Sequence, residues 1–256
     1  MDASQAPTAV ITGASSGIGA ATAVRLADAG YRVVLTARRA GRLAEVAGRV
    51  TKNGGQAEAH ELDVTDRAAV DALATQLDRC DVLVANAGGA IGADTVAAGS
   101  ADDWRAMYEV NVLGVLNTVQ ALLPKLIASG AGTIVIMGST AGLTPYEGGG
   151  GYVAAKHGVH AMAGTLRLEL YDQPVRIIEI VPGMVKTDEF AVKRYRGDAA
   201  KAAAVYAGVA EPLTADDVAD AVTWTVTRPA HFNVDLMVIR PRAQAAQHKV
   251  FRQPEG

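Results

Sequence analysis

Short blocks rich in apolar or β-branched residues alternate along this chain with longer stretches in which apolar residues recur at helical spacing. The blocks at 8–12, 32–36, 57–62, 82–85, 132–137, 176–181 and 235–239 read as strands. Helices are expected at 19–29, about 40–53, 67–77, 101–129, 152–171 and 215–226, with a less regular segment running to Val209. Gly30 and the pair Gly54-Gly55 act as stop signals. Parallel strands need a crossover connection, and the intervening helices supply one each time. The expected fold is α/β, a mostly parallel sheet with helices on both faces and a ligand beyond the strand carboxyl ends.

A chain of 256 residues is long enough for one substantial core, so a single domain is expected over 1–256, with its body at about 8–241 and a tail at 242–256. The tail has weak periodicity, which leaves open disorder or packing on a neighbouring subunit. Half the residues are apolar and the formal net charge is −3, so nothing suggests a nucleic-acid or anionic-membrane surface. Small molecules and further copies of the chain are the expected partners. Cys80 is the only cysteine and reads as an inert buried thiol; no His/Cys cluster has zinc spacing, and no metal is expected. Residues 1–9 lack a secretion-signal pattern and no apolar run reaches about 18 residues, so a cytoplasmic protein is expected.

Three features carry chemistry. The turn Thr12-Gly13-Ala14-Ser15-Ser16-Gly17-Ile18-Gly19 sits where the first strand passes into the first helix. There backbone amides can approach a pyrophosphate and the helix amino end favours its charge. The second strand ends in Thr36-Ala37-Arg38-Arg39, with no acid for a ribose 2′-hydroxyl, so Arg38, joined by Arg39, favours the extra phosphate of NADP. A solvated arginine pair is the competing reading. Finally, Tyr152 and Lys156 stand four residues apart on one helix face, and Ser139 lies thirteen residues earlier. A free phenol with a pKa of about 10 is a poor proton-transfer group near neutrality, and a nearby ammonium favours phenolate. Ser139 is placed to hydrogen-bond a substrate oxygen. Taken alone, the Tyr/Lys pair is equally a chance pair on a helix surface. The run Gly148-Gly149-Gly150-Gly151 reads as a flexible turn feeding that helix, or as part of active-site access.

Together with Leu62-Asp63-Val64, Asn86-Ala87-Gly88, Asn111 and Pro182-Gly183-Met184-Val185-Lys186-Thr187, these motifs stand in the order of the short-chain dehydrogenase/reductase family. The chain resembles that family from Thr8 to about Pro241. The resemblance implies a Rossmann-type doubly wound sheet and a catalytic set of Ser139, Tyr152, Lys156 and Asn111. Tyr152 would move the proton, Lys156 would hold the ribose and activate the phenol, and Asn111 would complete a water-linked relay. It also implies an NADP(H) site formed by Gly13, Ser15, Ser16, Gly17, Ile18 through its amide, and Gly19. Arg38, Arg39, Asp63, Val64, Asn86, Ala87, Gly88, Pro182, Gly183, Val185 and Thr187 would complete it beside Tyr152 and Lys156. A homotetramer is implied too, with the helices around 101–129 and 152–171 offering interfaces.

Within the family the chain is similar to bacterial NADP-dependent 3-hydroxy acid dehydrogenases of the serine and allo-threonine type. The matching pieces are Gly138-Ser139-Thr140-Ala141-Gly142, Pro145-Tyr146, Glu189-Phe190, Arg194-Tyr195-Arg196-Gly197-Asp198, Leu213-Thr214, Asp217-Val218 and Pro229-Ala230-His231. A 3-hydroxy acid or matching 3-oxo acid is the expected substrate, with Arg194 the first candidate for its carboxylate. The alternatives are a reductase of a larger aldehyde or ketone, and a binding protein that senses NADP without turnover.

Overall fold

In the computed structural model, residues 6–253 are described; residues 1–5, part of the stretch read for a secretion signal, and 254–256 of the tail lie outside them. Seven parallel strands form one sheet in the order β3-β2-β1-β4-β5-β6-β9. They are β1 (Thr8–Thr12), β2 (Arg32–Ala37), β3 (Gln56–Glu61), β4 (Val82–Ala85), β5 (Gly132–Met137), β6 (Val175–Pro182) and β9 (Leu236–Ile239). A two-residue pair, β7 (Val185–Lys186) and β8 (Leu213–Thr214), stands apart. This is the Rossmann-type doubly wound architecture.

Side-chain alternation along each strand builds two cores. Ala9, Ile11, Val33, Leu35, Ile178 and Ile180 face helices α1 (Gly17–Asp28), α2 (Ala40–Lys52) and α9 (Ala215–Val226). Val10, Val34, Leu83, Ile134 and Ile136 face α3 (Arg67–Gln76), α5 (Gly114–Ala128) and α6 (Gly150–Glu169). Each fully buried Leu or Ile contributes on the order of 2 kcal/mol. Helix starts follow local chemistry: Asp66 caps α3, and Thr214 with Asp217 forms a capping box on α9. Cys80 is buried, its thiol pushed up to about 12 by desolvation.

The structure refines three expectations. The long helix is continuous over Ala101–Ala128, but α4 (Ala101–Tyr108) and α5 are joined by a π-helical turn, Glu109–Leu113, that carries Asn111. That helical run is long and apolar enough to cross a membrane, although Val112, Val115, Val119, Leu122 and Leu126 are buried against the sheet layer. The expected flexible turn at Gly148–Gly151 is half helical, because α6 begins at Gly150 with Gly150 against Trp104 and Gly151 against Trp104 and Met107. The irregular segment contains α7 (Phe190–Arg194) and α8 (Ala199–Ala204), and the described part of the tail packs against the stretch that follows α8. Gln253 donates its amide to the Gly208 carbonyl, and Arg252 donates to the Val205 and Ala207 carbonyls. The Gln244 side chain accepts from the Met184 amide at 2.7 Å.

Candidate active site

Strand order reverses between β1 and β4, and there the crossovers leave to opposite faces. At that point a cleft of about 500 Å³ opens beyond the carboxyl ends of the strands. Its floor is the turn from β1 into α1. Gly13 and Gly17 take positive φ (67° and 52°), and a Cβ on Gly13 would stand 2.9 Å from the Ala87 Cα. Gly19 lies behind the wall: a Cβ there would come within 2.4 Å of the Gly13 carbonyl oxygen, so its absence lets the helix meet the turn. Ser16 is the extended residue preceding α1 and makes no side-chain cap. The first amides of that helix therefore remain free at the cleft, which suits an anion. Thr12 binds the opposite wall through its hydroxyl, which accepts from the Asn86 and Ala87 amides at 2.9 Å each.

The expected cofactor residues Ser15, Ile18, Asp63, Val64, Asn86, Ala87, Gly88, Pro182, Gly183, Val185 and Thr187 all line this cleft. The two arginines part company. Arg38 is 74 % exposed and only 3.9 Å from Asp63, free to meet a phosphate. Arg39 turns across the mouth to bind both Glu189 oxygens at 2.8 Å and the Ser15 and Ser16 hydroxyls at 3.0 Å. Glu189, which also takes Lys193 at 2.5 Å and the Ser16 hydroxyl at 3.1 Å, is held at about 2 by these partners, Arg39 foremost. Glu189 was not read as a site residue from the sequence. There Glu189-Phe190 enters only as one of the pieces matching the 3-hydroxy acid dehydrogenases.

Deeper in the cleft, Ser139 follows β5, and Tyr152 and Lys156 project from the first turns of α6. Lys156 is 4 % exposed, donates from Nζ to the Met137 carbonyl at 2.7 Å, and lies 5.9 Å from the Tyr152 ring centroid. Burial lowers Lys156 to about 8, opposed by Glu179. Burial also raises the Tyr152 phenol well above its ordinary value, opposed by the hydrogen bond with Ser139 and by Arg194. Desolvation of the hydroxyl thus works against the pull toward phenolate expected from the lysine. Phe190 stacks edge-on to Tyr152 at 5.9 Å.

Asn111 is fully buried behind the wall, its side chain spent on the loop after β4. Nδ2 donates to the Gly89 and Met107 carbonyls at 2.9 and 2.8 Å, and Oδ1 accepts from the Gly89 amide at 3.2 Å. Arg194 lines the cleft as expected. It is also a strap, donating to the Tyr146 hydroxyl at 2.9 Å and to the Gly148 and Gly92 carbonyls at 3.0 and 3.2 Å. Gln244 and Gln247 of the tail complete the wall, residues the weak periodicity of the tail did not mark.

Residues 7–196 match the family model for short chain dehydrogenases. The chain belongs to the short-chain dehydrogenase/reductase family. An uncharacterized oxidoreductase of Mycobacterium tuberculosis is 52 % identical over 93 % of this chain and 92 % of its own length. Sulfoacetaldehyde reductase 2 of Chromohalobacter salexigens is 40 % identical over 92 % and 94 %. An NADP-dependent 3-hydroxy acid dehydrogenase of Salmonella typhi is 36 % identical over 92 % and 95 %. Among solved structures, the closed form of serine dehydrogenase complexed with NADP+ superposes with a TM-score of 0.89 at 35 % identity, covering 96 % of this chain and all of that one. The protein is thus an oxidoreductase of this family, with NADP-dependent relatives.

Proposed function

We propose that the protein is an NADP(H)-dependent dehydrogenase of a small 3-hydroxy acid, or reductase of the matching 3-oxo acid. The observation that carries this reading is the single cleft in which the uncapped start of α1 and exposed Arg38 lie at one end and Ser139, Tyr152 and Lys156 at the other. The free amides of α1 would hold the pyrophosphate, Arg38 the 2′-phosphate, Lys156 the ribose and Thr187 the nicotinamide end. When bound, NADP(H) supplies or accepts the hydride.

The chain's own residues manage the oxygen and its proton. Ser139 holds the substrate oxygen, and Tyr152, protonated through the neutral range because burial raises its phenol, is set to donate to it as a carbonyl is reduced. Lys156 stays charged below about 8 and, through the Asn111 backbone and water, re-supplies the proton. Asn111 acts through its backbone because its amide is already spent on Gly89 and Met107. One N–H on each Arg194 terminal nitrogen remains beyond its strap bonds, and these take the substrate carboxylate. The protein works in the cytoplasm and as a homo-oligomer; self-association is supported by exposed Leu168 and Tyr171 on and after α6 and Trp224, Phe232 and Leu236 near the sheet edge.

The 40 % identity to a sulfoacetaldehyde reductase favours a second reading, a small aldehyde bearing a sulfonate. A turnover screen at the reduced-nicotinamide band separates them, with serine, allo-threonine and 3-hydroxybutyrate set against sulfoacetaldehyde and bulky ketones. NADPH binding without consumption of any of these would sink the enzymatic reading. Arg38→Ala should weaken NADP by roughly 10–100-fold while leaving NAD unchanged. Tighter binding of NAD than of NADP by the wild type would remove the phosphate assignment.

A further inference from the structure

Strands covered on both faces are apolar throughout, since neither face meets water. Strand β6 breaks that pattern in its fully buried part. Glu179 stands between Ile178 and Ile180 and is 1 % exposed. Ile178 and Ile180 belong to the α1/α9 core, so alternation turns Glu179 toward the α6 layer. An isolated buried carboxylate costs several kcal/mol unless its surroundings compensate.

Those surroundings are specific. Oε2 is 2.7 Å from Nδ1 of His160, whose side chain is 40 % exposed. Among the described residues Oε1 has no hydrogen-bond partner, and it lies against Gly138, where a Cβ would come within 2.5 Å of it. Gly138 is the residue before Ser139, and Met137 before it supplies the carbonyl that holds Lys156. Lys156 and His160 are four residues apart and share a face of α6. The carboxylate therefore sits behind the strand end that bears Ser139, between a buried ammonium and a half-exposed imidazole.

We infer that Glu179 is a positioning residue for the hydride-transfer site: its carboxylate, steadied from the surface side by His160, keeps the Lys156 ammonium charged and seated on the Met137 carbonyl. This rests on the catalytic reading of Lys156 given above. Burial pulls that lysine below its ordinary value, and Glu179 is the charge that opposes it. The other charged or titratable groups around the pair are committed elsewhere or lie on the cleft side. Arg167 of α6 donates to the Ile177 and Asp235 carbonyls, the Asp235 carboxylate accepts from Asn233, and Tyr152 faces Ser139.

Removing the negative charge lowers the Lys156 pKa, so the ammonium is lost at lower pH. In Glu179→Gln, Lys156 should titrate about one pH unit lower by NMR of 13C-lysine-labelled protein, its signal assigned with Lys156→Arg. The basic limb of kcat/KM should move by the same amount, and Glu179→Asp should restore both. Turnover lowered evenly at every pH with an unmoved Lys156 titration would overturn the inference and leave Glu179 a purely structural group. A moved titration with an unmoved rate limb would support the coupling and strike instead the catalytic role of Lys156. Should Glu179→Gln fail to fold, His160→Leu decides. It removes the partner of Glu179 Oε2 and leaves the carboxylate unsteadied, so Lys156 should titrate lower than in the wild type, and an unmoved titration would overturn the inference.

Discussion

Glu189→Gln tests whether the segment after β7 is clasped to the turn between β1 and α1. The carboxylate of Glu189 spans from the segment after β7 to Arg39 and Ser16, residues on the opposite bank of the cleft. A carboxyl held at about 2 rather than 4.5 corresponds to an upper bound of about 3 kcal/mol. Arg39 and Lys193 are 39 % and 60 % exposed, so solvent screening removes at least half of that. What remains, about 1.4 kcal/mol, is roughly tenfold in an equilibrium. NADPH should therefore leave the variant about ten times faster in stopped-flow displacement followed by nicotinamide fluorescence, and added salt should narrow the gap between variant and wild type. The depressed carboxyl pKa means the clasp is complete above about 4.5 and is lost only as pH falls toward 2. The difference between the two proteins should then be flat across the neutral range. Release that is unchanged or slower would refute the clasp, and would mean that Glu189 competes with the cofactor phosphates for Arg39.

Tyr152→Phe should retain NADP binding in a fluorescence titration and lose about 10²–10⁴-fold in kcat; near-normal turnover would contradict its role as proton donor. Arg194→Gln should raise KM for 3-oxo acids about tenfold and leave uncharged carbonyls unaffected, and equal losses on both would reduce Arg194 to a strap. Gly19→Ala drives a Cβ to 2.4 Å from the Gly13 carbonyl, a backbone atom that cannot rotate away. The expected cost is about 2 kcal/mol, read as a fall in Tm of roughly 5 °C without added cofactor, and an unchanged Tm would show that the turn can relax.

The order of strands and helices was legible because both faces of the central sheet are covered: its inner strands appear as mainly apolar blocks and the helices as periodic runs, whereas the edge strand β3 alternates polar and small residues. The Gly13–Gly19 turn was legible for a different reason, its chemistry being local to one strand–helix junction. The same holds for Tyr152 and Lys156, which helical geometry brings to one face. The π-helical turn at Asn111 left no mark in the periodicity, because one added residue only rotates the apolar stripe of a long helical run.

What the sequence determined by itself is thus the alternating α/β architecture and those groups whose neighbours lie within one turn of chain. Only the tertiary structure decided which of two adjacent arginines is free. Arg39 is claimed by a glutamate 150 positions away, while Arg38 remains exposed. It also decided that the tail closes the cleft, through Gln244 on the Met184 amide, and that Glu179 lies behind Ser139 rather than merely interrupting a strand. Propensity and period act between near neighbours, whereas these contacts arise when crossovers bring distant segments to the same strand ends. The protonation of Tyr152 followed the same division: the spacing placed a lysine beside it, and the depth of burial set its direction.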